Sequence, residues 1–137
     1  MENSKLTREA VLAKTHYGLG IYAHILRIYY PGEVVLKVVG RDCGLTHNPF
    51  NGDKPTLHVW LHKEVPGKAM SAEWALHKDL DGAIPEGDAF DFAELHYHQT
   101  GDELLDTLNQ EMFLHIGEER SFYSVRKYAQ LKDLPTE

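Results

Sequence analysis

Hydrophobic positions along the chain change their spacing several times, and each change predicts an element. From Tyr17 to Tyr30, the residues Leu19, Tyr22, Ile25, Leu26 and Tyr29 recur at helical intervals, which predicts a helix packed along one side. Gly18 and Gly20 weaken its first turn by about 1 kcal/mol each relative to alanine, so the start is expected nearer Ile21 and the end at Pro31-Gly32. A shorter helix, Arg8 to Lys14, precedes it with Thr7 as N-cap. Val34 to Val39 is a β-branched run and predicts a first strand. Thr56 to His62 alternates Leu57, Val59 and Leu61 with His58, Trp60 and His62, the pattern of a half-buried strand. Within Ala72 to Leu80, the alternation of Trp74, Leu76 and Lys78 predicts a strand that pairs with the preceding one as a long hairpin beyond the Pro66-Gly67 turn.

From Ile84 onward the spacing becomes helical. Phe90, Phe92, Ala93 and Tyr97 give the apolar side of a helix to about His98, and Glu86, Asp88 and Asp91 crowd its start, where the helix dipole favours acids. Thr100-Gly101-Asp102 breaks and recaps the chain. Leu104, Leu105, Leu108, Met112 and Phe113 then predict a second helix ended by Gly117, and Ser121 to Leu131 a last one. Repeats and low-complexity segments are absent from the sequence. The expected architecture is α+β: one domain over 1–137, with a small antiparallel sheet flanked by N-terminal and C-terminal helices.

Composition narrows this picture. A chain of 137 residues can bury about two-thirds of its unfolded surface, so neither disulfide nor metal is required for stability. The single cysteine, Cys43, cannot form an internal bridge. The N-terminus is polar, and no apolar run approaches the roughly 20 residues of a membrane span. These features favour a cytoplasmic protein without a membrane partner.

The net charge of −7 is unevenly distributed. Between Asp79 and Glu119 there are twelve acids and no Lys or Arg, whereas Arg120, Arg126, Lys127 and Lys132 follow without an acid among them. From Lys37 to Lys68 the bases exceed the acids by two. A polyanion would therefore prefer the central segment or the tail, unless the tail is matched internally by the acidic block.

Nine histidines call for a metal test. His58 and His62 share a strand face but lie roughly 13 Å apart along a straight strand, too far to share one ion. His96 and His98 point about 200° apart on a helix at 3.6 residues per turn. No Cys-x-x-Cys, Gly-x-Ser-x-Gly, phosphate-binding loop or His-Glu-x-x-His occurs. Cys43 with His47 could form a thiolate–imidazole pair, but a lone cysteine is more often a small buried hydrophobe. Glu86, Asp88 and Asp91 could hold a hard cation, although acids at a helix start more often serve the backbone. The expectation is a non-catalytic chain with no cofactor.

One stretch combines Gly, Pro, Asn and a basic excess. Leu36 to Asp42, then Gly44-Leu45, then Asn48-Pro49-Phe50-Asn51-Gly52-Asp53-Lys54-Pro55-Thr56-Leu57, and later Gly87-Asp88-Ala89-Phe90-Asp91-Phe92, resemble the zinc-binding domain of bacterial DNA primases. That family carries a Cys-Pro-Phe-His knuckle, an acidic-Lys-x-Pro-Ser turn into a strand, and a Cys-x-x-Cys knuckle before a Gly-Gly-Asp step into a helix. The resemblance covers 34–108, leaving 1–33 and 109–137 as helical extensions. It implies a zinc-ribbon-like hairpin core. All four ligand positions are changed, however: Asn48, Asn51, Leu80 and Ala83 stand there, and none supplies a thiolate or imidazole. The family's metal is thus not implied for this chain.

Losing the ion removes folding free energy on the order of 10 kcal/mol in small zinc domains. Trp60, Trp74, Phe90 and Phe92 are expected to offset it as an apolar core, and Asn48 and Asn51 to cap the knuckle through hydrogen bonds to backbone. The resemblance implies a non-enzymatic, replication-associated domain that binds single-stranded DNA or acts as an adaptor for replication or mobilisation proteins, in the setting of a plasmid or mobile element. Its candidate contacts are Arg41, Lys54, Lys63 and Lys68 for phosphates and Trp60 or Tyr30 for base stacking. The competing reading is a protein–protein interaction module that has lost both DNA and metal.

Overall fold

The computed structural model describes residues 5–37, 41–63 and 73–117. Two helices come first, α1 (Arg8–Lys14) and α2 (Leu19–Tyr29). Three strands follow, β1 (Asp42–Asn48), β2 (Lys54–Lys63) and β3 (Glu73–Asp79). A two-residue strand β4 (Gly87–Asp88) then leads into α3 (Ala89–Tyr97) and α4 (Gly101–Glu111). The four strands form one sheet in the order β1-β2-β3-β4, and every neighbouring pair is antiparallel. The fold is α+β, with a small antiparallel sheet flanked by helices. No helix among the described residues is long and apolar enough to cross a membrane.

Register decides what faces the core. Opposite residues of an antiparallel pair share a face, and β2 pairs with β3 through Leu57↔Asp79, Val59↔His77 and Leu61↔Ala75. All six are buried. Tyr22, Ile25 and Leu26 of α2 and Phe90, Phe92 and Ala93 of α3 complete the core on that side. The alternate register, His58↔Lys78, Trp60↔Leu76 and His62↔Trp74, forms the outer face. Phe90 and Phe92 thus fill the core as expected, whereas Trp60 and Trp74 do not: they are half-buried on the outer face. The alternation of Trp74 and Leu76 marks a strand without marking its core side, which β3 gives to Ala75, His77 and Asp79.

Other boundaries follow local chemistry. The Thr7 hydroxyl accepts the Ala10 N–H and caps α1. Before α2, His16, Tyr17 and Gly18 all take positive φ, and the Tyr17 carbonyl accepts the Ala75 N–H at 2.8 Å, beside the point where β4 covers Leu76 and His77. The strand expected over Val34 to Val39 is not present in its described part, Val34 to Lys37, and Val38 and Val39 lie outside the described residues. The ladder with β2 instead begins at Asp42↔Trp60, while the upstream segment is tied down where the Thr46 hydroxyl donates to the Val35 carbonyl at 2.5 Å. Likewise α4 ends at Glu111, before Gly117: Phe113 and His115 adopt positive φ, and the Asn109 side chain bonds both the N–H and the carbonyl of Ile116. The helix expected from Ser121 to Leu131 lies outside the described residues.

Candidate functional site

The turn after β1 and the turn after β3 meet at one carboxylate. Asp79, at the end of β3 and 2% exposed, points to the core side and is reached from both turns. Asn48, wholly buried, donates its amide to Asp79 Oδ1 at 2.9 Å, while its own Oδ1 accepts the Phe50 N–H at 2.8 Å. The Thr56 hydroxyl donates to the same carboxylate oxygen. Asp79 Oδ2 accepts the N–H groups of Asp81 at 3.1 Å and Ala83 at 2.9 Å. Asn51 joins the cluster by donating to Thr56 Oγ1 at 2.9 Å and Asp81 Oδ2 at 3.0 Å. Burial alone would raise the Asp79 pKa, but the hydrogen bonds from Thr56, Asn48, Ala83 and Asp81 outweigh it and hold the carboxyl below its ordinary value. The expected capping of backbone by Asn48 and Asn51 is therefore only partly realised: one amide oxygen serves the backbone, and both amide nitrogens serve side chains.

Leu80, the remaining position of the resemblance, is 57% exposed and takes no side-chain part in this cluster. Among the described residues, no group of three or more His, Cys, Asp or Glu is arranged to hold a metal. Cys43 is buried, and burial followed by the nearby Asp42 charge pushes its thiol pKa up, opposite to what a thiolate nucleophile needs. His47 packs against Tyr30, with ring centroids 5.7 Å apart.

A second polar unit crosses the core. The Pro85 carbonyl can only accept, so His77 Nε2 carries the proton it shares with that oxygen at 2.9 Å. In the neutral imidazole Nδ1 then accepts the Tyr22 hydroxyl at 2.8 Å. Burial lowers the His77 pKa, against opposing contributions from the Pro85 carbonyl and from Asp91 and Asp88. The result ties α2, β3 and the segment before β4 together without a buried charge.

The outer face of the sheet is aromatic. The His58 and Trp60 rings lie 4.9 Å apart and the His62 and Trp74 rings 4.8 Å apart, one pair further along the β2–β3 ladder than the other. Beside Trp60, a depression of about 210 Å³ runs past Leu76 to Gly87. It adjoins a larger cleft of about 430 Å³ between Pro85-Glu86 and the C-terminal half of α3, and His77 and Glu86 line both.

The sequence-derived contacts scatter over this surface. Trp60 stands at the centre of the outer face. Arg41, just before β1, donates to the Leu61 carbonyl at 3.5 Å. Lys54 sits at the other end of the β1–β2 ladder, 4.0 Å from Asp81. Tyr30 donates its hydroxyl to Asp53 at 2.5 Å and packs against Tyr29 and His47, so it is not an open stacking platform. Lys63 ends β2, and Lys68 lies outside the described residues. Asp79, Thr56 and His77 were not anticipated. Their one sequence signal is the period-two position that Asp79 and His77 share with Ala75 on the inner face of β3.

Comparison with known proteins gives no assignment: no protein-family model, no curated protein and no solved structure matches the chain.

Proposed function

We propose that this chain is a non-catalytic, replication-associated domain of the primase zinc-finger type, in which a hydrogen-bonded carboxylate replaces the metal. Its ligand is single-stranded DNA bound across the outer face of the sheet. The zinc-ribbon part of this reading is supported by the convergence of Asn48, Asn51 and Ala83, three of the four changed ligand positions, on Asp79. The functional part is carried by one observation, the two Trp–His ring pairs set side by side on β2 and β3. Such rings accept any base by stacking, each contributing about 1–3 kcal/mol. Fluorescence anisotropy of a labelled single-stranded oligonucleotide tests this. Binding is expected at low salt, and Trp60→Ala or Trp74→Ala should each weaken it by about 1–3 kcal/mol.

A second reading, a protein-interaction module, is favoured by the cations. Arg41 and Lys54 stand roughly 20 Å apart at opposite ends of a ladder that rises about 3.4 Å per residue, and Lys54 and Lys78 approach Asp81 and Glu86. Neither arrangement builds a phosphate groove. Absence of oligonucleotide binding at low salt would decide for this second reading.

A further inference from the structure

Asn51 and Gly52 are neighbours in the turn after β1, and an Asn-Gly step carries its own chemistry. The amide carbon of an asparagine side chain is an electrophile that the next backbone nitrogen can reach by closing a five-membered ring. Glycine hinders that approach least, because it has no Cβ. The Lys54 N–H donates to the Asn51 carbonyl at 3.2 Å, and Gly52 and Asp53 take φ of 60° and 64°, the positive pair of a type I′ turn. Gly52 is exposed, a Cβ built on it would meet nothing within 4 Å, and its N–H finds no acceptor among the described residues. The attacking nitrogen is thus open to solvent and free to lose its proton. Comparable steps are blocked. Asn48 precedes Pro49, which has no N–H. Asn109 is 7% exposed within α4, and its side chain is tied to both main-chain groups of Ile116. At Asp81-Gly82, the Gly82 N–H is already donated to the Asp79 carbonyl at 2.9 Å.

We infer that Asn51 is a site of spontaneous covalent modification, whose conversion to aspartate and isoaspartate in the folded chain releases the turn after β1 from the turn after β3. The Gly52 nitrogen gives up its proton and bonds to Asn51 Cγ, the Cγ–Nδ2 bond breaks, and the nitrogen leaves with that proton as ammonia. One water then opens the resulting succinimide. Cleavage on the side-chain side gives aspartate, and cleavage on the main-chain side gives isoaspartate with the backbone routed through Cγ. One water is consumed and one ammonia released, with no oxidant or reductant. The leaving group is the donor that holds the two turns together: Asn51 Nδ2 serves Thr56 Oγ1 at 2.9 Å, Asp81 Oδ2 at 3.0 Å and Asp79 Oδ2 at 3.5 Å. Asn51 is only half-buried and Asp81 exposed, so this rim of the cluster can open and let the side chain swing towards Gly52. After conversion a carboxylate stands where the donor stood, facing two other carboxylates, and like charges at that range repel. The opened state is then held by chemistry rather than by a ligand, and the site is independent of the DNA reading above.

The test is ageing of the full 137-residue chain in mildly alkaline buffer, followed by peptide mapping with fragmentation that separates aspartate from isoaspartate. Conversion is expected at Asn51 and not at Asn48 or Asn109, faster as pH rises, and at least tenfold slower in Gly52→Ala, whose circular dichroism melt reports that it is folded. The converted chain, separated by its added negative charge, should melt at a lower temperature than the unaged chain, as Asn51→Asp should. Wild-type mapping decides the chemistry without any variant. Absence of conversion at Asn51, conversion only in urea-unfolded chain, equal conversion at Asn109, or an unchanged melt after conversion would each overturn the inference.

Discussion

Asp79 carries more of the fold than any other polar residue described. Five donors from two turns and one strand address its two oxygens, and the wholly buried Asn48 among them has no water to fall back on if the carboxylate is removed. Asp79→Ala is expected to destabilise the protein by about 3 kcal/mol in urea unfolding, chiefly by stranding the Asn48 amide. Charge matters as well as shape. The folded carboxyl titrates below the ordinary 3.8, so its stabilisation is complete above pH 3.8 and is lost as pH falls through the lower folded value. The acid limb of a stability–pH curve should therefore be shallower in Asp79→Asn than in the wild type; parallel limbs would show that the charge contributes nothing. Tyr22→Phe leaves His77 Nδ1 without its donor in a buried site and should cost about 1–2 kcal/mol, and in a double-mutant cycle with His77→Phe that loss should shrink.

Helix α3 shows how a local signal fixes an element. Asp88 accepts the Asp91 N–H while Asp91 accepts the Asp88 N–H, a reciprocal capping box that stops fraying just where β4 ends. Asp88→Ala should lower the unfolding free energy by about 1 kcal/mol. Gly87→Ala is expected to cost more, because its Cβ would sit 2.8 Å from the Asp91 Cβ and displace the carboxylate from the box. Thermal melts of the two variants give the order directly, and the reverse order would mean that the box yields without loss. Elements governed by such short-range chemistry were legible in the sequence: α1 behind Thr7, α3 in its apolar spacing and the acids crowding its start, and β2 with its strict alternation. What escaped depended on contacts distant in sequence. Nothing within Glu73 to Asp79 says that His77 will find Tyr22 or that Asp79 will find Asn48, so the larger apolar residues Trp74 and Leu76 suggest a core side that the register reverses. Similarly, the β-branched run at Val34 has no ladder partner in its described part, and β1 forms from the less strand-like Asp42–Asn48 because its register with β2 demands it.

For the molecule as a whole, the Asp79 cluster joins the turn after β1 to the turn after β3 using only side chains and backbone. Purified protein is accordingly expected to hold no stoichiometric zinc, and a chelator should leave its thermal transition in place; a collapse of that transition would put an ion at the heart of the fold. The sheet's edge carries a further consequence. A strand whose N–H and carbonyl groups face water is a template on which another copy can assemble, and β3 would be such a strand if only the two residues of β4 covered it. The Tyr17 carbonyl closes the next position, Ala75, from a left-handed run that includes two non-glycine residues, each costing on the order of 1–3 kcal/mol of backbone strain. That strain works as a guard against aggregation, and relaxing it would show first in how concentrated a solution the protein tolerates.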